Sequence, residues 1–301
     1  MTTSQHDHTT KVGTKTYRSS KVTDPDPSKA IADAIAAHEK AYHQAPPDPT
    51  PPPTPTPPPS TGIPAIPADH ELFLRDFSDG QLVEFRKVTY LDSKPLDGMR
   101  YATDYTHPIE WPKDGDRTYL RERCIRQPNG RYNGTFLTTG GGMGAPTFSM
   151  MRGYVEFAFR LPGFGIGVGP WPAPGWLRHD ASDGTWSSRE LDLAEGMEDG
   201  KLRFTLHGFG ADQVLASLTP GDIGTKWHTI GAALTDTGTT VTFDGKRVGG
   251  TTTVIDRALS LLTDAKAGFP WQAGTPNAQS PAEFAVELGW VRVTAKIPAG
   301  L

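Results

Sequence analysis

Of the 28 Phe, Trp and Tyr residues in this 301-residue chain, all but Tyr17 and Tyr42 lie beyond residue 68. Aromatic side chains dominate the energetics of a protein core, so this segregation predicts one hydrophobic core within residues 69–301 and none upstream. A body of that size buries enough apolar surface to fold unaided. The first 68 residues lack the apolar content to offset the entropy of an ordered chain, which makes them a disordered tail.

Within that tail, residues 46–59 read PPDPTPPPTPTPPP, ten prolines in fourteen positions. Locked φ angles and missing donors at this density predict an extended polyproline II spacer. Upstream, Ser28 is placed to cap a helix over residues 28–44, with Ile31, Ala34, Ile35 and Tyr42 near one stripe and Pro46 and Pro47 ending it. A helix of about 16 residues is marginal alone in water. It is either a segment that docks onto a larger assembly or a transient helix. His6 and His8 are too few ligands to indicate a metal. The tail's six basic and six acidic residues cancel, so the net charge of −4 belongs to the body. No basic run suggests nucleic acid as a partner, and no apolar run approaches the roughly 18 residues that suggest a membrane span. The opening MTTSQHDHTT lacks the apolar stretch of a secretion signal, so the expectation is synthesis in the cytoplasm and, if the protein is exported or virion-associated, a route other than Sec.

From residue 69 onward, short alternating runs are broken by Gly, Asp, Asn and Pro, the pattern of an all-β sandwich or barrel. GYVEFAFRL places Val155, Phe157, Phe159 and Leu161 on one face and Tyr154, Glu156 and Arg160 on the other, which predicts a half-buried strand. Asp244-Gly245 between TTVTF and KRV predicts a hairpin turn. Near the C-terminus, Phe284, Val286 and Leu288 share one parity and Val291 and Val293 the other, so a bulge is expected at Gly289. The single cysteine, Cys124, has no partner for an internal disulfide and reads as a packed, inert thiol.

The segment WSSRELDLAEG, residues 186–196, carries the chemistry. On a strand, Glu190 and Asp192 share one face while Leu191 and Leu193 enter the core. Glu195 has the wrong parity for that face unless a β-bulge at Leu193 or Ala194 absorbs one residue. Four effective strand steps separate the two Glu Cα atoms by roughly 13 Å, and inward-leaning side chains reduce this to the ~5–5.5 Å of a retaining glycosidase pair. Three carboxyls on one face repel, so at least one is expected to titrate high, as an acid/base catalyst requires. The same spacing also arises by chance on a solvated strand edge. Context favours chemistry, because Trp171, Trp176 and Trp186 precede the acids in apparent Gly/Pro-rich loops, and indole faces suit sugar rings.

At this point the chain resembles family 16 of the glycoside hydrolases over most of residues 70–297. GYVEFAFRLP at 153–162 resembles that family's strand leading to the cleft, GPWPAPGW at 169–176 its W-P-A-x-W segment, and ELDLAE at 190–195 its bulged E-x-D-x-x-E motif. LHGFG at 206–210, residues 226–248 and ELGWVRV at 287–293 are similar to its later strands, in the same order. Arg189 stands where the family commonly has Gly. The resemblance implies a two-sheet, concanavalin A-like β-jelly-roll and a retaining endo-glycosidase acting on a β-linked polysaccharide, a β-1,3-glucan or a galactan. It implies Glu190 as nucleophile, Glu195 as general acid/base, and Asp192 as the carboxylate that steers Glu190. Trp171, Trp176 and Trp186 are candidate sugar platforms, and His207 is either a cleft hydrogen-bonding group or a sheet-filling residue. No cofactor is required, and no calcium motif is evident, though a structural calcium is compatible with the fold. The alternative is a catalytically weak or inactive lectin-like module of a phage tail or surface assembly.

Overall fold

The computed structural model describes residues 9–12, 15–18, 71–87, 103–140, 146–165, 169–180, 186–197, 200–268 and 276–301. Among them every regular element is a β-strand. The chain divides into two compact units, Met1–Thr54 and Pro55–Leu301. In the first, β1 (Thr9–Val12) pairs antiparallel with β2 (Lys15–Arg18). The sequence reading expected no strand in this tail; Thr9, Thr10, Val12, Thr16 and Tyr17 are residue types that favour extended backbone. The expected helix 28–44 and proline spacer 46–59 lie outside the described residues.

The second unit opens with short strands: β3 (Glu71–Arg75), β4 (Arg86–Lys87), β5 (Thr103–Tyr105), β6 (Ile109–Glu110), β7 (Lys113–Asp114) and β8 (Arg117–Thr118). The main strands follow: β9 (Leu120–Arg126), β10 (Tyr132–Thr138), β11 (Gly153–Arg160), β12 (Pro170–Asp180), β13 (Trp186–Gly196) and β14 (Leu202–His207). The series ends with β15 (Gln213–Leu218), β16 (His228–Thr235), β17 (Gly238–Phe243), β18 (Lys246–Thr251), β19 (Ser260–Ala267) and β20 (Glu283–Thr294). Their hydrogen-bonded order is β15-β14-β13-β12-β19-β10-β9-β20-β11-β16-β17-β18.

β10 belongs to both halves of that ribbon. Tyr132 and Asn133 pair with β9, whereas Thr135 to Thr138 pair with β19. The ribbon turns over at β10 into two sheets whose inner faces share one core, with Val155, Phe157 and Phe159 from β11 and Leu177, Leu191, Leu193 and Leu261 from β12, β13 and β19. This is the expected two-sheet jelly-roll sandwich. Two glycines permit the close approach of its halves. A Cβ on Gly175 of β12 would lie 2.8 Å from the Phe157 ring, and one on Gly249 of β18 would lie 2.0 Å from the Leu215 carbonyl oxygen of β15.

Asp244 and Gly245 both have positive φ, 48° and 69°, which gives the hairpin between β17 and β18 the turn that matches strand twist. Opposite Ala158 and Phe159, β20 offers Trp290 and Leu288, so Gly289 is the extra residue of a bulge, as expected. β11 departs from its expected half-exposure, because both faces are covered. Flanked by β16 and β20, it buries Tyr154 through a 2.9 Å hydrogen bond with Thr242, and Glu156 through one donated by Arg292 at 2.8 Å. Cys124 is buried, consistent with a packed thiol.

One inward side chain is an acid. Glu122 on β9 is fully buried beside Leu120 and Cys124, and its Oε1 accepts a 2.7 Å hydrogen bond from Thr263 of β19. Burial pushes its pKa up to about 8, the hydrogen bond opposing this and the Asp264 charge adding to it. A carboxyl raised in the folded state contributes stability that is complete below its unfolded pKa, about 4.3, and is lost as pH rises through the folded value. Urea denaturation from pH 4 to pH 9 is therefore expected to show a decline in wild-type stability that Glu122→Gln flattens, with the variant gaining most near pH 8 relative to pH 4.

Candidate active site

The acids sit on the outer face of the sheet containing β10, β19, β12, β13 and β14. Leu191 and Leu193 of β13 are wholly buried in the core, which turns Glu190 and Asp192 outward. The register with β14 runs Glu190↔His207, Asp192↔Thr205, then Glu195↔Arg203, so β13 carries one residue more than β14 across this step. Ala194, at φ +65°, marks the bulge. It returns Glu195 to the outer face, as the sequence spacing required.

Cross-strand register assembles the rest. One row across the sheet is Leu262, Trp176, Asp192 and Thr205, and the next is Ser260, Arg178, Glu190 and His207. Asp192 and Glu195 are each only 6% exposed, and the Glu190 side chain keeps 25%. Burial is the larger reason that Glu190 and Glu195 both hold their protons well above the usual carboxyl range, and the Asp192 charge adds to it. Arg178, His207 and Lys266 oppose the rise at Glu190, with Arg178 Nε 3.9 Å from Glu190 Oε2. Lys266, His207 and a hydrogen bond from Trp171 oppose it at Glu195. The expected high-titrating carboxyl is thus present, and burial outweighs the mutual repulsion on which that expectation rested.

His207 faces carboxylates at both ring nitrogens, with Nε2 3.2 Å from Asp192 Oδ2 and Nδ1 3.3 Å from Asp212 Oδ2. A carboxylate oxygen beside each nitrogen favours the ring that carries both N–H protons. Burial pulls its pKa down, but the bonds to Asp192 and Asp212 outweigh burial and push it up to about 11. The nearest approach to a metal site among the described residues is Glu190, Asp192 and His207, whose ligand atoms lie within 4.8 Å of one another.

The tryptophans differ from expectation. Trp171 and Trp176 stand on strand β12, not in loops, because β12 begins at Pro170 and pairs with β19 along its proline-rich half. Trp171 Nε1 donates to Glu195 Oε1 at 2.7 Å, and the Lys266 ammonium lies 3.9 Å from its ring centroid. Trp176 stacks on Phe136 at 5.6 Å and is 5% exposed. The backbone of Trp186 opens β13, and its side chain lies outside the described part of the structure. Arg189 lies 3.8 Å from Asp256, and the guanidinium that approaches Glu190 belongs to Arg178.

Arg178, Lys266, Asp264 and Asp212 join the site without having been singled out in the sequence. Leu262, Asp264 and Lys266 share a parity that a strand reading of SLLTDAKA makes visible, but nothing local says that β19 lies beside β12.

No protein-family model and no curated protein sequence matches the chain. Solved structures do. The laminarinase catalytic domain of Thermotoga maritima aligns with TM-score 0.62 at 19% identity over 76% of this chain and 98% of its own. The endo-1,3-β-glucanase (laminarinase) catalytic domain of Thermotoga petrophila gives 0.60 at 18% identity, covering 74% and 96%. A Bacteroides ovatus family 16 enzyme, solved with a mixed-linkage glucan product, gives 0.59 at 17%, covering 74% and 99%. The chain has the fold of these family 16 glucanases.

The bulge conformation is testable in isolation. A β-branched side chain at a positive φ is strained. Ala194→Val is expected to destabilise the fold by about 1–3 kcal/mol in urea titrations, with a larger proportional loss of site function than of folded protein.

Proposed function

We propose that the protein is a retaining endo-glycosidase that hydrolyses a β-linked glucan by double displacement. The observation that carries this reading is the bulge, which sets Glu190, Asp192 and Glu195 on one outer face of the sheet. Glu190, in its carboxylate form, beside Arg178 and still partly open to solvent, attacks the anomeric carbon as the bond from that carbon to the leaving oxygen breaks. Glu195 gives its proton to that oxygen. Its Oε1 is engaged by Trp171, which leaves Oε2 for the transfer. In the second step the Glu195 carboxylate takes a proton from water, the resulting hydroxyl attacks the anomeric carbon, and Glu190 departs as a carboxylate. The Asp192 charge adds to burial in holding the proton on Glu195, while Arg178, His207 and Lys266 favour the carboxylate form that Glu190 needs for attack. The glucanase fold of the neighbouring structures supports a glucan over a galactan as substrate.

Release of reducing ends from β-1,3-glucan and mixed-linkage glucan, with agar and carrageenan as comparisons, tests the reading. Glu190→Gln and Glu195→Gln are each expected to lower kcat by at least about 10³-fold. Full activity in both variants would reject the assignment, and glucan binding without cleavage by the wild type would make the domain a carbohydrate-binding module instead.

A further inference from the structure

β19 sets a charged pair beside the acids that no motif includes. Lys266 Nζ lies 2.7 Å from Asp264 Oδ2 and 3.9 Å from the centroid of the Trp171 ring. That indole donates from Nε1 to Glu195 Oε1 at 2.7 Å. Asp264, Lys266, Trp171 and Glu195 therefore form a continuous chain, in which the Lys266 side chain is 12% exposed and the other three residues are buried. Register supports the contact, since Lys266 pairs directly with Trp171 across β19 and β12.

A cation over an indole face draws electron density out of the ring and makes its N–H a stronger donor. Stronger donation to Oε1 favours the ionised carboxylate and fixes its orientation, and the ammonium's own field acts in the same direction. Little water intervenes to screen either effect. An acid/base residue must release a proton in one step and recover it in the next, so a carboxyl left to burial and to Asp192 alone would hold its proton too tightly.

We propose that Lys266, anchored by Asp264, is a positioning residue for Glu195, acting through the Trp171 indole to aim the carboxyl and to limit how tightly it retains its proton. The proposal rests on the reading of Glu195 as acid/base. The groups near Glu195 are Trp171 from β12, Glu190 and Asp192 from β13, Arg203 and His207 from β14, and Asp264 and Lys266 from β19. Among those that favour its ionised form, Lys266 acts most strongly. Burial raises the Asp264 pKa to about 6, with Lys266 opposing the rise.

The test follows the Trp171 indole N–H resonance of the full-length, ¹⁵N-labelled protein as pH is raised. In the wild type this resonance is expected to shift as Glu195 ionises, with a midpoint well above the ordinary carboxyl range. Lys266→Met is expected to move the midpoint upward by about one unit, and Lys266→Arg to return it toward the wild-type value. In parallel, the alkaline limb of the kcat profile on β-1,3-glucan is expected to move the same way, with KM changed by less than about twofold. If Lys266→Met does not fold, Lys266→Gln gives the same readout. A folded Met or Gln variant with an unmoved midpoint overturns the proposal, as does a shift that Lys266→Arg leaves uncorrected. A wild type that cleaves no glucan defeats the glycosidase reading and the acid/base role with it. The indole titration would still report whether Lys266 acts on Glu195, so the two failures are distinguishable.

Discussion

The site depends on a single extra residue in β13. Without the bulge at Leu193–Ala194, the period of two that sends Leu191 and Leu193 into the core would send Glu195 in after them. An acid there would lose its partners on the outer face and displace apolar packing between the sheets. The bulge separates two demands on one strand: a hydrophobic inner face, and an acidic outer face whose members are spaced across the bulge. Ala194 bears the backbone consequence, a positive φ at a fully buried residue.

Burial then makes the acids chemically useful. Exposed carboxylates would ionise near pH 4, and none would hold a proton at neutral pH. On this face Asp192 and Glu195 are almost wholly enclosed and Glu190 is partly so, and the sheet surrounds them with matched cations. His207 sits between Asp192 and Asp212, Arg178 approaches Glu190, and Lys266 bridges Asp264 and the Trp171 ring. The outcome is an unequal division in which Asp192 is paired with an imidazolium while the two glutamates resist ionisation. Glu122 shows the same physics away from the site, a core carboxyl with one hydroxyl partner and a strongly raised pKa.

Much of this was legible in the sequence, and for local reasons. Parity within WSSRELDLAEG required a bulge, and the structure has one at the expected place. Slipped parity about Gly289 and the Asp244-Gly245 pair were equally readable, because bulges and tight turns are written in neighbouring residues. Where the reading missed, the cause was non-local. Trp171 and Trp176 were expected in loops, since prolines and glycines surround them, yet pairing with β19 holds that segment as strand. The alternation in β11 predicts a half-exposed strand, and its outer face is covered by polar side chains from β17 and β20.

The sequence by itself determined the all-β class, the acidic face and the need for a bulge, because each follows from alternation along a single strand. Only the tertiary structure decided which side chains from other strands surround those acids. Arg178, His207, Asp212, Asp264 and Lys266 come from separate stretches of the chain, and sheet register alone makes them neighbours. Register is fixed by the packing of two whole sheets against one another, and no short stretch of sequence contains that information.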